Sequence, residues 1–288
     1  MAERELEAKT CLITGGNTGI GRAAATELAR RGARVTIACR SEEKGREAVE
    51  GIGREAHSDH VDLLLMDLAD LASVRAAGEA YAARGEGLSI LINNAGVAGQ
   101  RGITEDGFEL AFGTNHLGHF LLTQTLLPAL RDAAPSRVVN VSSNSHRSAR
   151  SIDWDAVRRP TQSITGLREY GVSKLSNVLF TAELARRLEG EGIHAYAVHP
   201  GVIASDIWRR IPPPFRQAAK LFMRSNERGA ETVFYCAASD EVAGDTGLYY
   251  ADCRRQKPSR PARDAELAAE LWRRSEAFCG LDAGAARS

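Results

Sequence analysis

The stretch "TCLITGGNTGIGR", residues 10–22, runs a short apolar segment into a glycine-rich turn and then into the start of a helical pattern. Gly15, Gly19 and Gly21 form G-x-x-x-G-x-G at this strand-to-helix junction. Residues without a Cβ there let a pyrophosphate approach backbone amides at a helix N-terminus. Asn17, Thr18 and Ile20 lie between and beside the glycines and are the other candidates for contact with it. A turn of this kind can also serve packing alone; its place directly after the first strand favours the binding use.

Working outward, the same alternation of short β-rich run and longer helical pattern repeats along the chain. "RVTIACR" precedes a helix over 42–52, "HVDLLLMD" one over 70–84, and "LSILINNAG" one over about 105–130. "SRVVNVSS" is followed by 168–190, "IHAYAVHPG" by 227–238 and "GLYYAD" by 264–278. Runs that are apolar on both faces and each followed by a helix predict a doubly wound α/β domain. Its seven-stranded parallel sheet lies between helical layers, with right-handed crossovers. No domain boundary interrupts residues 1–288. Two long interruptions, 144–167 and 202–226, both follow strand C-termini, where open α/β sheets bind ligands.

Composition narrows the function classes. Acidic and basic residues balance at 37 each, which argues against a nucleic-acid surface. The N-terminal "MAERELEAKT" is too charged for a signal peptide, and no run approaches a membrane span, so a cytosolic (cytoplasmic) protein without a membrane span is expected. Five scattered cysteines form no C-x-x-C and no zinc spacing. His116 and His119 in "NHLGH" lack a third ligand nearby and read as helix histidines, so no metal is expected.

The end of the second strand bears on which dinucleotide the turn would hold. An acidic residue there would bond both ribose hydroxyls; this chain has Arg40 and Ser41, a cation and a hydroxyl suited to a 2′-phosphate. That favours NADP(H) over NAD(H). Asp67 and Leu68 after the third strand are placed at the adenine edge, and Asn94, Ala95 and Gly96 of "NNAG", with Asn93, close the turn after the fourth.

The glycine pattern, "NNAG", Asn115 within "GTNHLGHF", "VNVSS", "YGVSK" and "HPG" occur in one order over residues 8 to about 255. In this the chain resembles the short-chain dehydrogenase/reductase family. "IACR", "KLSNVLFTAELARRL" and "GLYYADCR" are similar to its retinol dehydrogenase and WW-domain oxidoreductase branch, although no N-terminal membrane anchor of the kind many of those enzymes carry is read here. The resemblance implies a single-domain Rossmann fold and an oxidoreductase. It implies Tyr170 as general acid/base, Lys174 as its electrostatic partner and ribose ligand, Ser143 as the hydroxyl that orients the carbonyl, and Asn115 as a water-binding fourth member. A phenol with a pKa near ~10 needs a positive neighbour to act as a base near neutrality, and a lysine one helical turn away supplies it. Ser142 competes with Ser143; alternation along the strand lets only one face the cleft.

The family also implies that Pro200, Gly201 and Val202 frame the nicotinamide, with Ser205 near the phosphates. Residues 203–226, with Trp208 among several apolar side chains, then read as a lid over an apolar substrate. The long 144–169 segment is expected to wall the substrate site with His146 and Trp154, and residues 256–288 to form a helical tail. The expected substrate is a small apolar aldehyde, ketone or alcohol. The helices over 105–130 and 168–190 are the family's usual dimer surface; a homodimer, homotetramer or monomer all fit. Two other readings use the same fold: a catalytically silent nucleotide-sensing or scaffold protein, and a nucleotide-sugar epimerase or dehydratase. Intact Ser143, Tyr170 and Lys174 argue against the first, and the short stretch after the last strand against the second.

Overall fold

The structure is a computed structural model, and it describes residues 5–201 and 225–281. Thr10–Thr14 forms β1 and the glycine turn leads into α1, Gly19–Arg30. β2 (Arg34–Cys39), α2 (Glu42–Ala56), β3 (Val61–Leu65), α3 (Leu71–Ala82) and β4 (Ile90–Asn93) follow in alternation. Helix starts sit where short polar side chains can satisfy the first free amides: Ser41 accepts from Lys44 N ahead of α2, and Asp70 from Ala72 N and Ser73 N ahead of α3.

The second half continues with α4 (Leu110–Phe112), a π-helical turn over Gly113–Leu117, α5 (Gly118–Asp132) and β5 (Ser136–Val141). Then come α6 (Leu167–Arg187), β6 (Ile193–His199), α7 (Asn226–Ala238), β7 (Leu248–Ala251), β8 (Arg254–Gln256) and α8 (Ala265–Phe278). The strands are ordered β3-β2-β1-β4-β5-β6-β7-β8, and all pair in parallel except the last. The order reverses between β1 and β4, which opens a crevice at their C-terminal ends.

Two apolar layers hold the sheet. Leu12, Leu91 and Val138 point to the side covered by α3, α5, α6 and α8; Ile13, Ile92 and Val139 point to the side covered by α1, α2 and α7. This explains the unbroken apolar strands, since each face of the central strands is core. Replacing a fully buried leucine such as Leu12 by alanine would cost about 2–5 kcal/mol.

The sheet has one strand more than the seven expected. Asp252 and Cys253, both at positive φ (53° and 52°), make a two-residue turn that folds Arg254–Gln256 back antiparallel to β7. Neither the Asp-Cys turn nor the charged Arg-Arg-Gln run carries the usual sequence signs of a hairpin. The expected helix over 105–130 starts only at Leu110, because residues 103–109 close a tight turn bridged between Ile103 and Glu109. The helix expected over 42–52 runs on to Ala56 and ends at His57 in the left-handed region, φ 50°.

Candidate active site

On the β1 side the crevice is shaped by backbone. Gly15 and Gly19 have φ of +66° and +58°, values that disfavour any side chain. A Cβ on Gly21 would lie 2.4 Å from the Gly15 carbonyl oxygen and 2.5 Å from Asn94 Nδ2. Thr18 precedes α1 without capping it through its side chain, so the amides of the first turn have no side-chain acceptor there. Asn17, Gly19 and Ile20 are half-buried around this opening and Thr18 is exposed. Amide donors that the N-cap side chain leaves uncapped, in a cradle that a Cβ would fill, suit the pyrophosphate of a dinucleotide.

Thr14, the last residue of β1, ties this turn to the one after β4. Its hydroxyl oxygen accepts from Asn94 N (2.9 Å) and Ala95 N (3.0 Å), and Asn94 Nδ2 donates to the Thr14 carbonyl at 2.9 Å. The Thr14 hydroxyl also lies 2.8 Å from His119 Nε2, while His119 Nδ1 is 3.0 Å from the Asn115 carbonyl oxygen. A carbonyl can only accept, so Nδ1 carries the proton and Nε2 accepts from Thr14. Burial holds His119 neutral, with its pKa pushed down to about 3.

Arg40 is exposed at the end of β2 and forms no ion pair among the described residues. The Ser41 hydroxyl beside it caps α2 at 3.4 Å from Lys44 N. Asp67 follows β3, half-buried, with Oδ1 accepting from Ala69 N at 2.9 Å; Leu68 is buried. Gly96 is exposed, and a Cβ there would come within 2.9 Å of Asn115 Oδ1 and 3.6 Å of Lys174 Nζ. Pro200 is buried and Gly201, at φ +91°, opens out after β6. Val202, Ser205 and Trp208, with the expected lid from 203 to 224, lie outside the described residues.

On the β5 side the site is built from polar side chains. Lys174, on the second turn of α6, is 3% exposed, and its Nζ donates to the Val141 carbonyl oxygen at 2.8 Å. Nζ lies 5.6 Å from the centre of the Tyr170 ring. Burial lowers the lysine's pKa to about 8, which still leaves it largely charged at neutral pH. Tyr170 is pushed upward by burial, and the Ser143 hydroxyl acts in the opposite direction.

The two serines divide clearly. Ser142 Oγ donates to the Lys174 carbonyl oxygen at 2.8 Å and is buried, whereas Ser143 is half-buried at the head of a 3₁₀ turn over Asn144–Ser148.

The Asn115 side chain is taken up by structure, which leaves the expected water-binding role to its backbone. Its Oδ1 accepts from Val97 N (2.8 Å), and its Nδ2 donates to the Val97 carbonyl (2.9 Å) and to Ser173 Oγ (2.9 Å). The side chain is a clamp on the chain leaving β4, and only its backbone carbonyl, shared with His119, is left for a water. The π turn places it there; a widened turn of this kind is frequent at functional sites.

His146 and Trp154 are also used differently from a substrate wall. His146 is fully buried with both ring nitrogens bonded to backbone. Trp154 packs against the core beneath Arg274 of α8, 4.6 Å from guanidinium carbon to ring centre. The 144–167 segment is stitched instead to residues 100–109, through Thr161 to Glu109 and Gly102 and Val157 to Glu109. Among the described residues no cluster of three or more His, Cys, Asp or Glu could hold a metal, and no helix is long and apolar enough to cross a membrane.

Residues that sequence reading did not single out complete the site. Thr14, Val141 and Ser173 position the turns and the lysine; Thr14 and Ser173 could have been suspected from their adjacency to the motifs, but Val141 acts through its carbonyl, which no side chain signals.

The short chain dehydrogenase family profile matches residues 9–154. The chain is 43% identical to retinol dehydrogenase 12 of Mus musculus, over 96% of this chain and 88% of that protein. Its fold superposes on an uncharacterised protein from Mycobacterium Paratuberculosis with a TM-score of 0.77 and 35% identity, covering 96% of this chain and 95% of that one. It also resembles the Pseudomonas aeruginosa RhlG/NADP active-site complex, with a TM-score of 0.68 and 28% identity, over 86% and 96% of the two chains.

Proposed function

The chain belongs to the short-chain dehydrogenase family, and from that premise we propose that it interconverts an apolar aldehyde or ketone and its alcohol, preferring NADP(H) over NAD(H). The observation that carries the reading is the convergence of Ser143, Tyr170 and buried Lys174 at the end of β5, with Lys174 Nζ 3.6 Å from where a Cβ on Gly96 would lie, in the turn after β4. Bound nicotinamide supplies the hydride in reduction and accepts it in oxidation.

Gly15, Asn17, Thr18, Gly19, Ile20 and Gly21 would hold the pyrophosphate through backbone amides. Arg40 and Ser41 would meet a 2′-phosphate, and Asp67 and Leu68 the adenine. Asn94, Ala95 and Gly96 would line the ribose path, with Pro200, Gly201, Val202 and Ser205 around the nicotinamide end.

Tyr170 gives its phenolic proton to the substrate oxygen in reduction and takes it back in oxidation. Burial alone would make the phenol a poorer acid, so its proton transfer depends on the Lys174 charge. Lys174 is held for this by the Val141 carbonyl, and among the described residues no carboxylate pairs with it to cancel its field. Ser143 directs its hydroxyl to the substrate oxygen and stabilises negative charge as it develops there. Retinol dehydrogenase 12 acts, by its name, on an apolar alcohol; an apolar carbonyl or alcohol is the corresponding class here.

The test is a panel of aldehydes, ketones and alcohols with NADPH, NADH, NADP+ and NAD+. Turnover with the phosphorylated cofactor ahead of the other is expected. NADPH binding without turnover across the panel would point instead to a nucleotide-sensing scaffold.

A further inference from the structure

The turn that carries Ser143 is fastened to a segment more than a hundred residues away. His146 Nδ1 lies 2.7 Å from the Ser143 carbonyl oxygen, and its Nε2 lies 3.1 Å from the backbone nitrogen of Ser259. An amide N–H can only donate, so Nε2 is the bare nitrogen and Nδ1–H donates to Ser143. The imidazole is thus neutral in this arrangement, and burial, reinforced by the Arg147 charge, keeps it so.

Neighbouring contacts brace the same turn. The His146 ring meets Tyr249 of β7 edge-on at 5.0 Å, and the Tyr249 hydroxyl donates to Asn144 Oδ1 at 3.2 Å. Arg147 donates to the Lys257 carbonyl at 2.8 Å. Residues 257–259 reach this position because the β7–β8 hairpin turns the chain back along the sheet edge. Within the 3₁₀ turn the Ser143 hydroxyl accepts from Ser145 N at 3.1 Å and donates to Ser145 Oγ at 3.3 Å, so the hydroxyl goes where the turn goes; the hydrogen bonds of so short a 3₁₀ turn are weak, and the contacts from outside brace it.

We propose that His146 is a positioning residue for the reaction: by donating to the Ser143 carbonyl while accepting the Ser259 amide, it holds in place the turn from which the Ser143 hydroxyl reaches the substrate. The hairpin and the segment after it are the anchor, and His146 is the link between anchor and reacting group. This rests on the oxidoreductase reading, in which the Ser143 hydroxyl must meet the substrate oxygen; small misplacements of such a group cost turnover steeply.

Three substitutions separate the two bonds. His146→Asn keeps a donor near the Nδ1 position, His146→Gln keeps an acceptor near Nε2, and His146→Phe keeps the ring on Tyr249 but neither bond. Loss of kcat by roughly 10-fold or more is expected in all three variants, because each breaks at least one of the two bonds and so unfastens the turn from its anchor. The dissociation constant for NADPH should stay within about 2-fold in all three, because the glycine turn is untouched. In a Ser143→Ala background, His146→Gln should add little further loss; fully additive losses, or near-normal kcat in either the Asn or the Gln variant, would overturn the proposal. Hydrogen exchange at the Ser145 and His146 amides supplies a readout without turnover. It should quicken in His146→Gln and in Ser259→Pro, which removes the anchoring N–H. Unchanged exchange in both refutes the latch whether or not any carbonyl is reduced, whereas quickened exchange in a protein inactive on every substrate would refute only the oxidoreductase reading.

Discussion

The turn after β1 and the turn after β5 both open a strand end toward the crevice, and they do so by opposite means. The first relies on missing side chains: positive φ at Gly15 and Gly19, and a space at Gly21 that a single Cβ would close. The second relies on side chains that are present and buried, with Lys174 on Val141, Ser142 on the Lys174 carbonyl, Asn115 on Val97 and His146 between Ser143 and Ser259. Steric exclusion governs one end and buried polarity the other. Substitutions at the first should therefore act on cofactor binding, and at the second on turnover.

The largest effect expected is at the reacting end. Tyr170→Phe should lower kcat by about 10²–10⁴-fold while leaving the NADPH dissociation constant nearly unchanged, measured by steady-state rates beside fluorescence titration. Near-normal turnover would break the division outright. At the other end, Gly21→Ala should weaken NADPH by about 10-fold or more, since its Cβ would meet backbone at Gly15 that can move only by distorting the turn. A kcat defect at saturating NADPH with unaltered affinity would reverse the assignment.

Arg40→Asp sharpens the binding side. It should cost NADPH about 10-fold more than NADH, because only the phosphorylated cofactor presents charge to that position. Equal losses would remove Arg40 from the site.

The smallest effect expected is one of stability. Burial depresses Lys174 from 10.5 to about 8, so between those pH values the unfolded chain binds more protons, and stability from this group rises with pH across that window. Below it, the charged lysine costs the folded state. Lys174→Met should therefore raise the Tm of the cofactor-free protein at neutral pH by about a few degrees while abolishing turnover. Asn177 Nδ2 still donates to the Val141 carbonyl at 3.2 Å, so that oxygen is not orphaned. A lower Tm in the variant would show that the lysine's hydrogen bond outweighs its burial.

These two ends also differ in how far they can be read from sequence. Glycines at a strand-to-helix turn report directly on backbone, and strands apolar on both faces report on a sheet covered twice; the turn after β1 and seven parallel strands were legible for that reason. Tyr170 and Lys174 were singled out by the resemblance of "YGVSK" to the family, and a helical turn that brings residues four apart onto one face gives the pair its physical sense. The serine turn was less legible. His146 looked like a wall of the substrate site, yet its partner at Ser259 is a backbone N–H that any residue but proline would supply. Asn115 was placed in the right neighbourhood, but the π turn that aims its amide at Val97 has no sequence mark. β8 escaped because Arg-Arg-Gln is held by pairing to β7 and a left-handed Asp-Cys turn, not by β-propensity.

That same short strand closes one side of the sheet. All three of its residues are exposed, and two are arginines. A second chain adding a strand there would find few backbone groups to pair with, and it would have to lie across two guanidinium groups. Edge-to-edge growth into fibrous aggregates is obstructed at that end, and the protein's colloidal behaviour at high concentration should respond to Arg254 and Arg255 more than to the fold's stability.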